Sequence, residues 1–488
     1  MTRRARMDEN RAVRLVLALF ALVAAAWFAT SAAAGDWLLF GFDPARSNAP
    51  AGATGITAAN VGSLVRQQVK LPSPADSSAA YLHGVRIDGA THDAFFVTTS
   101  YGRLLAVDAD TGNVLWQFVP RGIGSFEHTA QITESSPLVD PDRVWIYTAS
   151  PDGKIHKVSV ADGSETTAGG WPVVVTLDPT HEKIASALNE SGSLLLVAVG
   201  SYFGFAPYQG HVVSIDRQTG RIVHVFNASC SNRTMLLDPT SCPISGPGMW
   251  ARSGVVVEPS GRLLVATANG LWNGKTAWAD SVLELTPDAG KLLQSFTPAN
   301  QNHLGLADLD LGSTAPAILT PHVALQGGKD GKLRLLDLDA LNGHTRTAGK
   351  LGGQLQLLTA PGGREVITTP AVWHFGGRVW AFVVTFSGIT AYRLDLTPRP
   401  RLQRAWGLGG VGGSSPIVAG GLLYVYSPLT GALNVFNPTN GKRIAQLPAG
   451  LGHWNSPIVA DGRIALPEGS ANQHSSTGVL DIYRLPGH

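Results

Sequence analysis

The sequence of 488 residues is short of charge, cysteine and catalytic loop motifs, and each shortage excludes a class of protein. Charged residues make up 15% of the chain, against roughly 25% in average domains. The net charge is +2 and no basic stretch carries interleaved aromatic residues, which argues against nucleic acid as a partner. The sequence has no G-x-S-x-G elbow, nucleotide-phosphate loop or C-x-x-C-H haem attachment site, so it carries none of these enzyme or cytochrome signatures.

Long apolar runs are also missing, except at the N-terminus. Five arginines in the first 14 residues precede an apolar stretch from Leu15 to Phe28, and Ala32 to Ala34 offer a small-residue cleavage site. We predict that residues 1–34 are a signal peptide, with an uncleaved anchor as the alternative and the only route to membrane contact. No cysteine follows the small residues, which argues against a lipoprotein. The mature chain is then exported, to a periplasm or to the extracellular space.

The two cysteines, Cys230 and Cys242, lie close together in a loop rich in Ser, Asn and Pro. In an exported protein such a pair predicts a disulfide, and closing a loop of this size contributes about 3 kcal/mol in the chain-entropy model. A catalytic or metal-binding role is disfavoured because no C-x-x-C or Cys/His spacing accompanies the pair.

What the sequence does contain is a repeat, clearest in Tyr101 to Phe118. Two stretches of alternating apolar residues flank Asp110 to Asn113, which predicts two strands joined by a tight turn. Weaker copies occur at 212–226, 283–296, 433–447 and 156–163. Their turns place a glycine where a positive φ is needed, at Gly112, Gly163, Gly220, Gly290 and Gly441.

A second marker, Ser or Thr followed by Pro and apolar residues, precedes several copies, at 135–139, 369–372, 415–418 and 456–459. Together the two markers define a unit of roughly 40 to 50 residues, the length of a four-stranded propeller blade. Eight units fit the chain, at 81–118, 135–171, 184–226, 250–296, 313–350, 368–406, 414–447 and 456–485. We therefore predict that residues 35–488 form one all-β domain, an eight-bladed propeller of four-stranded antiparallel blades. The strand-like run 64–71 is expected to complete the last blade and close the ring.

The segment AVDADTGNVLW at 106–116 fits AxDxxTGxxxW, the tryptophan-docking motif of the pyrroloquinoline quinone (PQQ) dehydrogenases. The stretches DWLLFGFDPARSNAP (36–50) and ITAANVGSLV (56–65) also resemble the start of mature chains in that family. The order GFAPYQG, TANG, ADSVLEL, SFTPANQ, DLDLGS and GGKDGK is similar to a secreted group of PQQ-repeat propellers without a settled role. The resemblance covers nearly everything after Gly35 and implies an eight-bladed propeller.

The resemblance also implies a site. Trp250 matches the aromatic residue on which the cofactor ring stacks, and Asn269 matches a calcium ligand. Asp308 falls at the position of the catalytic base, Asp310 is a second carboxylate, and Lys329 falls where a cation polarises the quinone. PQQ would then be held by Trp250 and Asn269, and calcium by Asn269, Asp308 and Asp310. The same residues also have structural interpretations: the segment of Asp308 as a loop cap, and that of Lys329 as a hairpin turn.

The sequence departs from the family at three points. Phe205 falls where the family has a calcium-binding Glu, and an apolar ring cannot bind a cation. No carboxylate lies near residues 81–83, where the enzymes have another Glu, and the adjacent-cysteine disulfide of the family is absent. We therefore expect an exported binding module or scaffold for an unknown protein or small-molecule ligand, with a vestigial cofactor pocket. The alternative is a PQQ-dependent alcohol dehydrogenase. A scaffold of outer-membrane assembly is disfavoured, since a lipid-attachment cysteine is lacking.

Two further positions are weaker candidates for ligand contacts. His453 lies beside Trp454, and Asn472 and His474 lie in the polar loop 469–478. A solvated loop is the alternative interpretation for the second pair.

Overall fold

The strands of the molecule form eight antiparallel sheets arranged in chain order. The structure is a computed structural model that describes residues 35–486, so the predicted signal segment lies outside the described residues. Seven sheets have four strands, and the third has an additional short strand. The predicted fold, an eight-bladed propeller of four-stranded blades, is confirmed.

The blades have the following strands. Blade 1 contains Ala80–Ile87, Ala90–Thr98, Leu104–Asp108 and Val114–Phe118, and blade 2 contains Leu138–Val139, Trp145–Ser150, Lys154–Ser159 and Val173–Val174. Blade 3 contains Glu182–Lys183, Asn189–Ser191, Leu194–Ser201, His211–Asp216 and Ile222–Asn227. Blade 4 contains Val256–Val257, Leu263–Ala266, Val282–Leu285 and Leu292–Phe296. Blade 5 contains Ala317–Thr320, Val323–Gln326, Lys332–Asp337 and Gln356–Thr359, and blade 6 contains Ala371–Phe375, Arg378–Thr385, Gly388–Asp395 and Arg401–Gly409. Blade 7 contains Ile417–Ala419, Leu422–Ser427, Ala432–Phe436 and Arg443–Pro448. Blade 8 contains Ile458–Ala460, Arg463–Glu468, Gly478–Arg484 and Val65–Leu71.

Few helices accompany these strands. Gln301–Leu306 is the α-helix of the described residues, and 3₁₀ turns occupy Val61–Ser63, Ile123–Ser125, Pro239–Ser241, Leu311–Ser313, Pro361–Gly363 and Ala471–Gln473. Within residues 35–486, no helix has the length and apolar character needed to cross a bilayer.

The ring closes through the strand that the sequence placed in the last blade. Val65–Leu71 pairs along its whole length with Gly478–Arg484. Arg66 fastens the pairing, because its guanidinium lies 2.7 Å from Asp481 and 2.9 Å from Glu468. One blade is thus built from both ends of the described chain, and strand pairing holds the ring closed at this junction.

Neighbouring blades are joined by tryptophans that dock on the turn glycines. The indole N–H of Trp116 donates to the Val160 carbonyl at 3.0 Å, and its ring lies over Gly163 of the next blade. A Cβ at Gly163 would lie 2.7 Å from that ring, and the residue has a φ of 71°, so glycine is required twice over. Trp406 and Gly441 repeat the arrangement between blades 6 and 7. The Trp and Gly of the sequence repeat therefore form the contacts between blades.

Two details of the repeat differ from the prediction. In the turn of blade 4 the left-handed residue is Ala289, with a φ of 58°, and Gly290 lies outside the left-handed region, next to the ring of His224. The fourth strands of blades 2 and 5, Val173–Val174 and Gln356–Thr359, lie beyond the predicted ends at residues 171 and 350, because long connections follow Ser159 and Asp337.

Residues 36–54, which we call the N-terminal plug, run across the innermost strands at one end of the ring. Backbone hydrogen bonds tie the plug to blades 1, 2, 4, 6, 7 and 8, at Tyr81, Val139, Val257, Val372, Val418 and Gly462. At its centre Arg46 is fully buried and donates to the carbonyls of Phe40, Leu188 and Ser253. Burial lowers the pKa of Arg46 to about 9, and the attraction of Asp43 and Glu190 offsets this effect only in part. The plug therefore covers the axis at the end where the first strand of each blade turns into the second.

The predicted disulfide is confirmed. Cys230 and Cys242 are bonded, with Cα atoms 6.0 Å apart, in the long connection between blades 3 and 4.

Candidate ligand-binding cavity

A cavity of about 550 Å³ lies at the end of the ring away from the plug. Its walls come from connections between blades and from loops between the second and third strands, and in antiparallel blades these lie at the end opposite to the first turn. Blades 3 to 5 supply one side, and the connection between blades 7 and 8 supplies another. The residues discussed below that line the cavity are Glu134, Lys183, Phe203, Tyr208, Trp250, Asn269, Asp308, Asp310, Lys329, His453, Trp454 and Asn472. The position is the usual one for a small-molecule site on such a scaffold.

The structure brings Trp250, Lys329 and Asp310 into direct contact. The Lys329 ammonium lies 5.3 Å from the centre of the Trp250 ring and 2.6 Å from Oδ2 of Asp310. Burial raises the pKa of Asp310, and Lys329 only partly offsets that effect. For Lys329, burial lowers the pKa, but the attraction of Asp310 and then Asp308 outweighs it, so the net pKa is raised. The lysine is therefore held as a cation by carboxylates of the same chain.

Asn269 and Asp308 lie on the same wall. The backbone N–H of Asn269 donates to Oδ1 of Asp310 at 2.9 Å, and its side-chain amide donates to Oδ1 of Asp308 at 2.8 Å. Asp308 has a left-handed φ of 53°, and 73% of its side chain is exposed. Its other oxygen is 3.5 Å from Lys329, longer than a strong ion pair. Asp308 thus presents a carboxylate to the cavity, while Asp310 is buried beneath it.

All five residues that the family resemblance singled out, Trp250, Asn269, Asp308, Asp310 and Lys329, line this one cavity. Their catalytic, cofactor-binding and metal-binding roles remain predictions.

The donors on this wall do not form a calcium site. Calcium prefers six to eight oxygen ligands, and the wall offers those of Asn269, Asp308 and Asp310. Asp310 and Asp308 already face the ammonium of Lys329, so a cation of the chain occupies their interior side. Phe205, at the position of the family's Glu, is 66% exposed and packs at 6.1 Å from Phe203.

A second wall holds a chain of buried ion pairs that the sequence did not reveal. Glu134 lies 3.0 Å from Lys183 and 3.3 Å from Arg252. Arg252 also pairs with the fully buried Asp76 at 3.2 Å, and Nδ1 of His453 lies 2.7 Å from the other oxygen of Asp76. Burial raises the pKa of Asp76, but the bonds from His453 and Arg252 outweigh it and hold the pKa at about 2.

The sequence did not predict these ion pairs because they form only in the closed ring. Glu134 lies directly before the Ser-Pro marker of blade 2 and Asp76 lies directly before blade 1, and closure of the ring brings both residues to Arg252. An acid preceding the Ser-Pro marker was the one available signal. Of the weaker candidates, His453 and Asn472 line the cavity, and His474 is outside its lining.

The fold is an eight-bladed propeller, and comparison with known proteins finds that the chain is similar to quinoproteins. The family model of the outer membrane protein assembly factor BamB matches residues 56–224. A quinohemoprotein alcohol dehydrogenase, ADH IIB, of Pseudomonas putida is 24% identical, covering 78% of this chain and 60% of the relative. Quinoprotein glucose dehydrogenase A of Acinetobacter calcoaceticus is 25% identical, covering 45% and 31%. The chain thus spans 60% or less of these curated relatives.

Solved structures share the fold. Quinohemoprotein alcohol dehydrogenase from Comamonas testosteroni superposes with a TM-score of 0.68 at 16% identity, covering 94% of this chain and 82% of that one. BamB from Moraxella catarrhalis gives a TM-score of 0.53 at 14% identity, covering 86% and 100%. The chain is therefore a propeller similar to the quinoprotein alcohol dehydrogenases, as the sequence resemblance predicted.

Proposed function

We propose that this protein is an exported binding module whose small-molecule ligand occupies the cavity above Trp250, without a calcium ion. One observation carries the proposal: the ammonium of Lys329 lies 2.6 Å from Asp310 and 3.5 Å from Asp308, so a cation of the chain already pairs with the two carboxylates that a calcium ion would use. The chain has a cavity with aromatic and charged walls at this position. At the position of the family's calcium-binding Glu, however, it has the exposed Phe205.

Export is supported by the disulfide between Cys230 and Cys242, since such bonds persist in oxidising compartments. A rigid closed ring also suits a binding role, because its loops are positioned by strands that do not need to move.

The second candidate, a PQQ-dependent alcohol dehydrogenase, is favoured by the exposure of Asp308. Its carboxylate faces the cavity beside Trp250 and Lys329, where a base that removes the proton of an alcohol would have to stand. The incomplete metal site argues against this candidate.

The deciding experiment is a titration of the purified exported protein with PQQ, once with calcium and once with a chelator. The change in tryptophan fluorescence, compared between the wild type and Trp250→Ala, reports binding at Trp250 among the 12 tryptophans of the chain, and dye-linked oxidation of an alcohol panel reports activity. We expect calcium not to promote binding of PQQ and no alcohol to reduce the dye. Activity that requires calcium and disappears in Asp308→Asn, but not in the control Asp339→Asn on an exposed loop, would establish the dehydrogenase instead.

Ligand binding itself is tested with a library of small molecules, again by tryptophan fluorescence. Ligands of the cavity should lose affinity in Trp250→Ala, whereas they should bind normally to Trp373→Ala, a tryptophan at the plug end. A library without any ligand that depends on Trp250 would contradict the proposed function.

A further inference from the structure

We propose that the ligand of this cavity is an organic monocation with an apolar body, such as an aromatic or alkyl ammonium compound. This inference rests on the proposed function and specifies the ligand class of the same site.

The first step is the pairing of charges. Each buried cation at the cavity has its own carboxylate: Lys329 has Asp310 at 2.6 Å, and Lys183 has Glu134 at 3.0 Å. The two charges within each pair neutralise each other. Both pairs are buried, so replacing one partner by a ligand would cost free energy. Asp308 shares Lys329 with Asp310 at the longer distance of 3.5 Å, so these two carboxylates and one ammonium carry a net charge of −1, located mainly at the exposed Asp308.

The ion pair of Arg252 with Asp76, which lies beneath these residues, does not change the charge balance of the cavity. Arg252 pairs with Asp76 at 3.2 Å, and Asp76 receives the backbone N–H groups of Trp454 and Ala471 and the imidazole of His453 as well. Among the described charged groups that line the cavity, Asp308 therefore supplies the negative charge that a ligand would meet.

The second step is the nature of the walls around that carboxylate. Phe203, Tyr208, Trp250 and Trp454 line the same space. Aromatic faces attract cations through the ring quadrupole, and aromatic cages recognise quaternary ammonium groups in this way. The chain already uses this interaction, because Lys329 lies over Trp250 and Lys183 lies 5.9 Å from the ring centre of Phe203.

The third step excludes the other charge classes. A polyanion would meet the exposed carboxylate of Asp308, and it would find both lysine ammonium groups within 3.0 Å of acids of the chain. A dication would exceed the single net negative charge of Asp308, Asp310 and Lys329. A monocation balances Asp308 and still gains contact with the aromatic walls.

The experiment compares three ligands of nearly equal shape: benzylamine, benzyl alcohol and benzoate, titrated separately into the full exported protein with tryptophan fluorescence as the signal. We expect benzylamine to bind about tenfold more tightly than benzyl alcohol, and benzoate to bind least. Asp308→Asn should weaken benzylamine about fivefold and leave benzyl alcohol unchanged. Asp339→Asn is the matched control and should change neither.

The outcomes separate the two proposals. Tighter binding of benzoate, or equal loss of benzylamine and benzyl alcohol in Asp308→Asn, overturns the cationic class and leaves a binding cavity. If none of the three ligands binds and the library finds no ligand that depends on Trp250, both proposals fail.

Discussion

The contact between Trp116 and Gly163 allows the cost of one atom to be worked out. In Gly163→Ala the new Cβ would lie 2.7 Å from the indole ring, and the residue would keep a left-handed φ of 71°. The backbone conformation costs about 1–2 kcal/mol for a residue with a Cβ, and overpacking costs a further 1–3 kcal/mol. We expect a total loss of about 2–5 kcal/mol in the free energy of unfolding, measured by urea denaturation.

The matched control is Gly192→Ala. Gly192 has a similar φ of 58°, but a Cβ there would meet no atom within 4 Å. Its substitution should therefore cost only the backbone part, about 1–2 kcal/mol. Equal losses in the two variants would refute the role of the glycine in docking the tryptophan of the neighbouring blade. The loss in both variants would then reflect backbone strain alone.

Three further predictions concern buried groups. Arg46→Met should destabilise the protein by at least about 3 kcal/mol in urea denaturation, because three buried carbonyls lose their donor; near-normal stability would contradict a structural role for the plug. Burial raises the pKa of Asp280 from 3.8 to about 7, so the stability from its protonated form is complete below pH 3.8 and lost as the pH rises through 7. The melting temperature of Asp280→Asn minus that of the wild type should therefore be larger at pH 8 than at pH 5. An equal difference at the two pH values would contradict the raised pKa. Replacing Cys230 and Cys242 by Ser should cost about 3 kcal/mol, and a reductant should lower the melting temperature of the wild type only.

The fold was predictable because each blade repeats the same local chemistry. A glycine with positive φ in the turn and a tryptophan within the outer strand are local features that also form the contact between blades, as Trp116 and Gly163 illustrate. The prediction failed at Gly290, where Ala289 takes the left-handed conformation instead. The sequence of that turn contains both residues, and the packing of Gly290 against His224 decides between them.

The cavity was predictable on one side only. Trp250, Asn269, Asp308 and Lys329 were found because a known family has residues of these types in this order. Their partners on the other wall, such as Glu134 and Lys183, have no local signature, since an acid and a lysine 49 residues apart become an ion pair only through the curvature of the ring. Long-range contacts of this kind require the assembled fold.

The two ends of the ring differ in a way that bears on function. At the plug end, the carbonyl groups of residues 36–54 occupy backbone donors of six blades, and the central Arg46 is satisfied by carbonyl groups alone. At the other end a cavity is open, and each lysine that lines it pairs with a carboxylate of the chain. Asp308, in contrast, has an exposed carboxylate on a left-handed backbone. The combination of an open cavity, an exposed carboxylate and aromatic walls is therefore the strongest structural argument that this end of the propeller binds a ligand.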